Sequence, residues 1–450
     1  MSRRGVDCAP TLATIRGVTT LRDEILAART AGKALQNLST SARRALLQGL
    51  ADAYAGSENQ RTILEANRAD VAAGEAAAAR GELGQALVKR LALDSKKIAA
   101  LVDGLQQMAA APELVGLRTV RRKLDENLVL ERITCPLGVL GVVFEARPDA
   151  LVQITGLAWK SGNAVVLKGG KEALGTNREL ARIAKDVLQA HGIDPHALLH
   201  IEDRAGVADV LNQHDLVDLM IARGSSEFVH YVRANTQIPV MAHADGVCHV
   251  YLHTAANAKK AVHIVVDGKT SYPAACNTTE CLLWDEGAAL ALDACVAALK
   301  ANGVLLRGCP ETVARHPDMQ AATLSDWGKE YGDLVLAIRK VYGMNEALAH
   351  ISQYGSRHTD AIVTEDHVAA ERFIAAVDTA CCFHNASTRF SDGYRFGLGA
   401  EVGISTDKLH ARGPVGVEGL LSYRWVLRGD GQASTDYGDG KRQYLHEDVS

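Results

Sequence analysis

What this 450-residue chain lacks narrows what it can be. It has no general basic field. Lys and Arg number 49 against 53 Asp and Glu, a formal net charge of −4, so nucleic acid is not an expected partner. No apolar run approaches a membrane span; the run at residues 139–144 is among the longest. Arg3 and Arg4 are not followed by an apolar core, so the N-terminus does not read as a signal peptide. The nine cysteines are odd in number and show no CxxC spacing. That argues against a disulfide framework or a zinc site and for a reduced, cytoplasmic protein. Finally there is no GxGxxG fingerprint, so a dinucleotide would have to meet other turns.

What is present reads as an α/β enzyme of two or three domains. Residues 20–104 are helical, with Ser39-Thr40-Ser41 capping a helix whose apolar face is Leu46, Leu47, Leu50 and Tyr54. Further helices fall near 62–73 and 96–108. Residues 118–134 read as a hairpin charged on one face, an arm or interface element. Strands then alternate with helices: strands at 138–144, 164–167, 198–200, 216–221 and 238–241, helices at 149–159, 178–190, 205–212 and 227–234. This repetition predicts an open parallel sheet covered on both faces, with ligands at the strand carboxyl ends. A second alternating segment spans 247–382, with strands at 304–307, 334–338 and 360–363 and helices at 288–302 and 345–354. Residues 396–403 and 411–416 are glycine-rich loops, 420–428 an edge strand, and the polar tail from Gly429 is expected to be poorly ordered.

Three stretches carry the candidate chemistry. Cys276 follows a small, proline-containing approach and precedes an apolar strand-like run, which puts a thiol on a turn at the mouth of a sheet. The competing reading is an inert core cysteine. Cys248 and Cys281 lie inside apolar runs, where burial raises a thiol's pKa. The vicinal pair Cys381-Cys382 reads as two small residues beside a strand end. Lys168-Gly169-Gly170-Lys171 is a strand-to-helix turn that suits an anion, or is simply a solvated turn. Arg223-Gly224-Ser225-Ser226 is a second such turn, in which Ser225 or Ser226 reads equally as an N-cap.

The run Asn385-Ala-Ser387-Thr388-Arg389-Phe390-Ser-Asp392, with Phe396-Gly397-Leu-Gly399-Ala-Glu401-Val-Gly403-Ile404-Ser405 after it, resembles the signature of the gamma-glutamyl phosphate reductases. These enzymes, also called glutamate-5-semialdehyde dehydrogenases, belong to the aldehyde dehydrogenase superfamily. Pro136 to Pro148, Lys160 to Ala173, His243 to Val250 and Lys408 to Pro414 agree, and the resemblance covers about residues 20–432. It implies two parallel α/β domains: a Rossmann-like cofactor domain at 1–117 and 136–245, and a catalytic domain at 246–415. The hairpin at 118–135 and the C-terminal strand within 416–450 would then serve a homo-oligomer.

The resemblance also implies roles. Cys276 matches the nucleophile, Lys168 the cofactor lysine beside Gly169, Gly224 and Ser225 the pyrophosphate turn, and Glu330 the carboxylate on the nicotinamide ribose. Hydrolytic superfamily members carry a general-base glutamate where His243 falls here, which protects a thioester from water. The oxyanion asparagine falls about at Ala146, so its donors come from elsewhere, such as the Cys276 amide or the Asn277 side chain. Many NAD-using members have a glutamate where Lys171 stands; an ammonium attracts a 2′-phosphate, which selects NADPH/NADP. The expected reaction is reduction of L-glutamyl 5-phosphate to glutamate 5-semialdehyde with release of phosphate. Arg147, Arg389, His410 and Arg412 are candidate partners for the substrate's anions, or else structural ion pairs. No kinase segment precedes the match, so functional coupling to a separate glutamate 5-kinase is expected. The alternatives are a hydrolytic NAD-linked semialdehyde dehydrogenase and a non-catalytic scaffold.

Overall fold

A computed structural model describes residues 20–202, 205–438 and 441–449; Arg3 and Arg4 lie outside them. Five helices come first: α1 (Leu21–Gln36), α2 (Thr40–Ala55), α3 (Ser57–Ala79), α4 (Gln85–Leu91) and α5 (Ser95–Ala110). Side chains that accept backbone N–H groups start three of them: Thr20 for α1, Ser39 for α2 and Asp94 for α5. Leu46, Leu47, Leu50 and Tyr54 are all buried, as their spacing predicts. The buried Arg43 guanidinium donates to the carbonyls of Leu35 and Trp159, both at 3.0 Å, and so caps two helix C-termini at once.

A hairpin follows, β1 (Arg118–Asp125) and β2 (Leu128–Pro136), turning at Asn127 with φ 58°. Asn tolerates that left-handed backbone better than most residues. The next segment alternates: β3 (Val139–Phe144), α6 (Pro148–Lys160), β4 (Ala164–Gly169), α7 (Leu174–Ala190), β5 (Leu198–His200), α8 (Ala205–Leu211), β6 (Leu219–Arg223), α9 (Ser226–Ala234) and β7 (Val240–Met241). The five strands form one parallel sheet in the order β5-β4-β3-β6-β7. Every residue of β3 and β4 is buried, which is why 139–144 and 164–167 read as unbroken apolar runs. Strand order reverses between β3 and β6, and a crevice opens there at the carboxyl edge.

The second segment runs through β8 (Cys248–Leu252), α10 (Ala258–Thr270), β9 (Thr279–Asp285), α11 (Ala289–Ala301), β10 (Leu305–Gly308), α12 (Pro310–Arg315), β11 (Gln320–Ala321), β12 (Val335–Val341), α13 (Met344–Tyr354), β13 (Thr359–Val363), α14 (His367–Ala376) and β14 (Cys381–His384). Its seven strands are also parallel, in the order β11-β10-β12-β9-β8-β13-β14. Periodicity does not reveal α10, because Val262, Ile264, Val265 and Val266 are β-branched and imitate a strand. Its start is nevertheless written in Asn257, whose side chain accepts from Lys259 N and Lys260 N.

A short ribbon, β15 (Ile404–Ser405) with β16 (Gly413–Pro414), precedes β17 (Leu421–Arg428). β17 pairs antiparallel with β2 from Val129 to Pro136, and β18 (Glu447–Asp448) pairs with β1. The polar tail is therefore ordered where it is described, contrary to the expectation from its composition. Leu445 and Val449 donate to the carbonyls of Leu124 and Arg121, Arg442 pairs with Asp125 at 2.9 Å, and Arg122 with Asp448 at 2.7 Å. The open edge of β1 supplies the partners that composition cannot foresee. Among the described residues no helix is long and apolar enough to cross a membrane.

The segment Lys160 to Asn163 is a clasp rather than a ligand site. Asn163 is wholly buried; its Oδ1 accepts from Gly138 N at 2.7 Å, and its Nδ2 donates to Ser161 Oγ at 2.8 Å and the Leu420 carbonyl at 2.9 Å. Lys160 Nζ donates to the Ala111 carbonyl. Asn163→Ala leaves several buried groups without partners, so it should cost roughly 2–4 kcal/mol, read as a shift in the urea midpoint at unchanged slope.

Candidate active site

Cys276 lies in the loop joining α10 to β9, at the carboxyl-end side of the helix and the entrance of a fully buried strand. Two tight turns shape this loop: Ala275 N donates to the Tyr272 carbonyl and Thr278 N to that of Ala275. Neither turn uses the N–H of Cys276 or Asn277. The thiol is half-buried. Cys248 and Cys281 are fully buried at β8 and β9, and burial pushes both thiols well up. Burial also raises Cys381 to about 11 and Cys382 to about 12.

A backbone contact fixes the loop. A Cβ on Gly246 would stand 2.6 Å from both the Cα and carbonyl carbon of Cys276, and nearer still to its oxygen, so only glycine fits. The Gly246 N–H donates to Glu330 Oε2 at 2.8 Å. Two residues on, Gly332 N donates to Glu280 Oε1 at 3.3 Å, while Glu280 Oε2 pairs with Lys269 at 2.6 Å. That ion pair is wholly buried, and desolvation works against both charges: it raises Glu280 to about 7 and lowers Lys269. Segment 330–332 thus joins the approach to Cys276 with the strand that leaves it.

Two histidines flank the thiol. A ring nitrogen of His243, the Sγ of Cys276 and a ring nitrogen of His358 lie within 4.8 Å of one another. His243 Nδ1 is 3.0 Å from the Ile404 carbonyl, and burial holds this ring below the ordinary imidazole range. His358 is fully buried at the residue before β13. The sequence offers no way to single it out, since a histidine beside an apolar strand is usually a satisfied core residue.

The expected site residues divide. Asn277 is buried, but its Nδ2 donates to the Ser391 carbonyl at 2.9 Å and faces that of Arg389 at 3.4 Å. Its amide is spent on tying two loops together, which does not fit an oxyanion donor; the Cys276 N–H remains. Arg389 donates to Ser271 Oγ and lies over the Tyr272 ring, at the start of the thiol loop. Arg412 pairs with Asp378 at 2.9 Å, alongside Lys408, and His410 is exposed on the 406–412 loop. Neither lines the cleft described next. The signature around them is largely scaffolding: Asn385 bonds the backbone of Thr364 in both directions, and Asp392 accepts from Tyr394 N and Arg395 N.

Arg147 sits at the centre of a cleft. On one side a cavity of about 450 Å³ is bordered by Asp149, Arg223, Asp392 and Glu401. On the other a cavity of about 560 Å³ runs past Lys89, Arg90 and Lys97 to Tyr272 and Ala274 of the thiol loop. Arg147 and Asp149 border both. Arg223 has a buried Nη1 without a partner, and burial lowers its pKa, with Arg147 adding repulsion. Nothing in the sequence of α4 and α5 singles out Lys89, Arg90 or Lys97 as cleft residues.

At the first sheet's carboxyl edge, Phe144 stands opposite Gly169 on one side and Arg223 on the other. The two candidate cofactor turns therefore flank the end of β3. Lys168 Nζ donates to the Gly169 carbonyl at 2.7 Å. Gly169 packs so closely on Asn177 that a Cβ would strike that amide. Lys171 is exposed. Ser225 caps α9 with its hydroxyl, and its N–H donates to Glu145 Oε2 at 3.2 Å. A carboxylate thus already rests in this anion-binding turn beside Gly224. In native protein, brief iodoacetamide treatment should alkylate Cys276 at least tenfold faster than Cys248 or Cys281, as peptide mass spectrometry would measure.

No protein-family model matches the chain. It is 48% identical over 443 residues to the gamma-glutamyl phosphate reductase of Synechococcus sp. (strain JA-3-3Ab), covering 98% of this chain and 97% of that one. The crystal structure of gamma-glutamyl phosphate reductase from Thermotoga maritima superposes with a TM-score of 0.87 at 36% identity, covering 92% of this chain and 99% of that one. An acetylating aldehyde dehydrogenase from Geobacillus thermoglucosidasius shares the fold at a TM-score of 0.64 and 19% identity, covering 92% and 97%. With sequence and backbone alike over nearly its whole length, and its two parallel sheets arranged as an aldehyde-dehydrogenase-like fold, this chain belongs to the gamma-glutamyl phosphate reductase family.

Proposed function

We propose that the chain is an oxidoreductase that reduces L-glutamyl 5-phosphate to L-glutamate 5-semialdehyde with NADPH, releasing phosphate, as a step of proline biosynthesis. The observation that carries this reading is the cluster at Gly246. There the Cys276 backbone, the Glu330 carboxylate and the thiol meet within one packed loop system, in a chain 48% identical to a relative of that name.

Cys276 attacks the acyl carbon as thiolate, and phosphate leaves as the carbon–sulfur bond forms. His243 and His358, each with a ring nitrogen within 4.8 Å of the sulfur, are the groups that would take the thiol proton. The Cys276 N–H, which neither turn of its loop uses, would donate to the oxygen that gains charge. The divided cleft suits a substrate with charges of both signs. Asp149, Asp392 and Glu401 favour its ammonium, while Arg147, Lys97 and Arg90 favour its carboxylate and phosphate. The aldehyde forms when the thioester accepts a hydride and the carbon–sulfur bond breaks.

The turns at the first sheet's edge fit a nicotinamide dinucleotide. The exposed Lys171 suits a 2′-phosphate, and the Ser225 N–H, now on Glu145, suits a pyrophosphate. When bound, NADPH supplies the hydride. In this reading Glu330 would hold its ribose, and Lys168 and Gly224 would belong to the turns that receive the dinucleotide. A homo-oligomer fits the same reading: Tyr423, Trp425 and Leu427 share one face of β17, each more than half exposed.

Cys276→Ala should abolish turnover while far-UV circular dichroism is unchanged; retained activity would move the nucleophile elsewhere. In the oxidative direction with NADP, the wild-type rate should require inorganic phosphate, and a phosphate-independent rate would establish the hydrolytic alternative. Lys171→Glu should lower kcat/KM for NADPH at least tenfold relative to NADH. An unchanged ratio would remove Lys171 from 2′-phosphate recognition.

A further inference from the structure

We propose that His243, Cys276 and His358 form a binding site for one zinc ion, which caps the thiol reversibly. The three come from separate parts of the chain, so no spacing in the sequence announces them. Their donor atoms already lie within 4.8 Å of one another. Tetrahedral zinc, with bonds of about 2.3 Å to sulfur and about 2.0–2.1 Å to nitrogen, holds such donors about 3.5 Å apart. Closing the triangle thus needs shifts of about 1 Å, within the reach of side-chain rotation about χ1 and χ2.

The hydrogen bonds set both rings in the tautomer that a metal requires. His243 Nδ1 faces the Ile404 carbonyl, which can only accept, so Nδ1 carries the proton and Nε2 keeps its lone pair. His358 is set by a relay. Ser391 Oγ donates to the Thr388 carbonyl at 3.0 Å, so at 2.7 Å it accepts from Thr359 Oγ1. Thr359 Oγ1 must then accept from His358 Nδ1 at 2.8 Å. His358 Nε2 is left as a bare lone pair, fully buried, with no hydrogen-bond partner. A buried acceptor without a donor is rare in folded proteins, and a cation supplies what it lacks. Each ring is also held through its Nδ1, and ligating histidines are generally held in this way through the nitrogen that does not bind the metal. Two imidazoles and one thiolate leave the fourth position open. On binding, the sulfur–zinc bond forms as the thiol proton leaves to solvent, with no change of oxidation state.

A second compact trio, His249, Cys281 and His350, gives the contrast. Arg339 Nη1, which can only donate, lies 3.2 Å from His350 Nδ1. That nitrogen must accept, so His350 Nε2 carries a proton and faces Cys281 Sγ at 3.7 Å. A metal would have to displace that proton and reach three wholly buried side chains. Zinc should therefore occupy one site per chain and not two.

The test uses full-length protein freed of metal with a chelator, and needs no turnover, so it fails separately from the proposed reaction. One equivalent of Zn²⁺ should slow iodoacetamide labelling of Cys276 at least tenfold, and a chelator should restore it. Co²⁺ should bind at one equivalent with a thiolate-to-metal charge-transfer band. Cys276→Ser should remove that band, and His243→Gln and His358→Gln should each weaken binding at least tenfold. An unprotected Cys276 in wild-type protein overturns the proposal whether or not His358→Gln folds. So does a charge-transfer band that survives Cys276→Ser, which would place the metal at Cys281.

Discussion

Everything around the thiol depends on two stretches of backbone passing each other with no side chain between them. Where Gly246 crosses Cys276 there is no room for a Cβ, and the amide freed by that closeness is held by Glu330. The contact does three things. It sets the height of the Cys276 loop against β8. It draws the segment at 330–332 over the loop, where Gly332 reaches Glu280. It also leaves the thiol half-buried while its neighbours at Cys248 and Cys281 are sealed in the sheet. Packing thus sets Cys276 apart from these neighbours, since burial penalises the thiolates of Cys248 and Cys281.

The cost of this arrangement is concentrated one residue pair deeper. Lys269 and Glu280 form an ion pair wholly buried from solvent, and their mutual attraction has to offset two desolvation penalties. A pair of well-packed apolar side chains could fill that space. The pair adds direction: each oxygen of Glu280 has one partner, so β9, α10 and the loop after Glu330 can meet in only one register. The cleft beyond is organised by charge on a larger scale, with cations from α4 and α5 on one side of Arg147 and carboxylates on the other.

Much of the fold is legible in the residues, and the reasons are particular. β3 and β4 announce themselves because strands buried on both faces are apolar throughout. α2 does so because Ser39 caps it and its leucines fall on one face. α10 hides because its core face is made of Val and Ile, and the tail hides because its partners belong to β1, more than 300 residues earlier in the case of Arg122 and Asp448. At the site, Cys276 and the glycine-bearing turns stand out by composition. His358 and Lys97 do not, because what distinguishes them is where distant segments put them. Conversely, residues in a recognisable motif can serve the fold: Asn163 and Asn385 spend their polar atoms on backbone.

The bond from Asn163 to the Leu420 carbonyl spans 257 residues, and the Arg428–Glu131 contact spans 297. These closures bear on the order of events at the ribosome. The hairpin and β3 leave the exit tunnel long before β17 exists, so β2 waits with a bare edge while the second sheet is made. Closing such long loops is slow, and an unpaired strand edge is exposed to other nascent chains meanwhile. The Arg and Glu side chains along β1 and β2 keep that edge soluble until its partner arrives. Charge on the arm thus guards the chain during synthesis before it serves the finished protein.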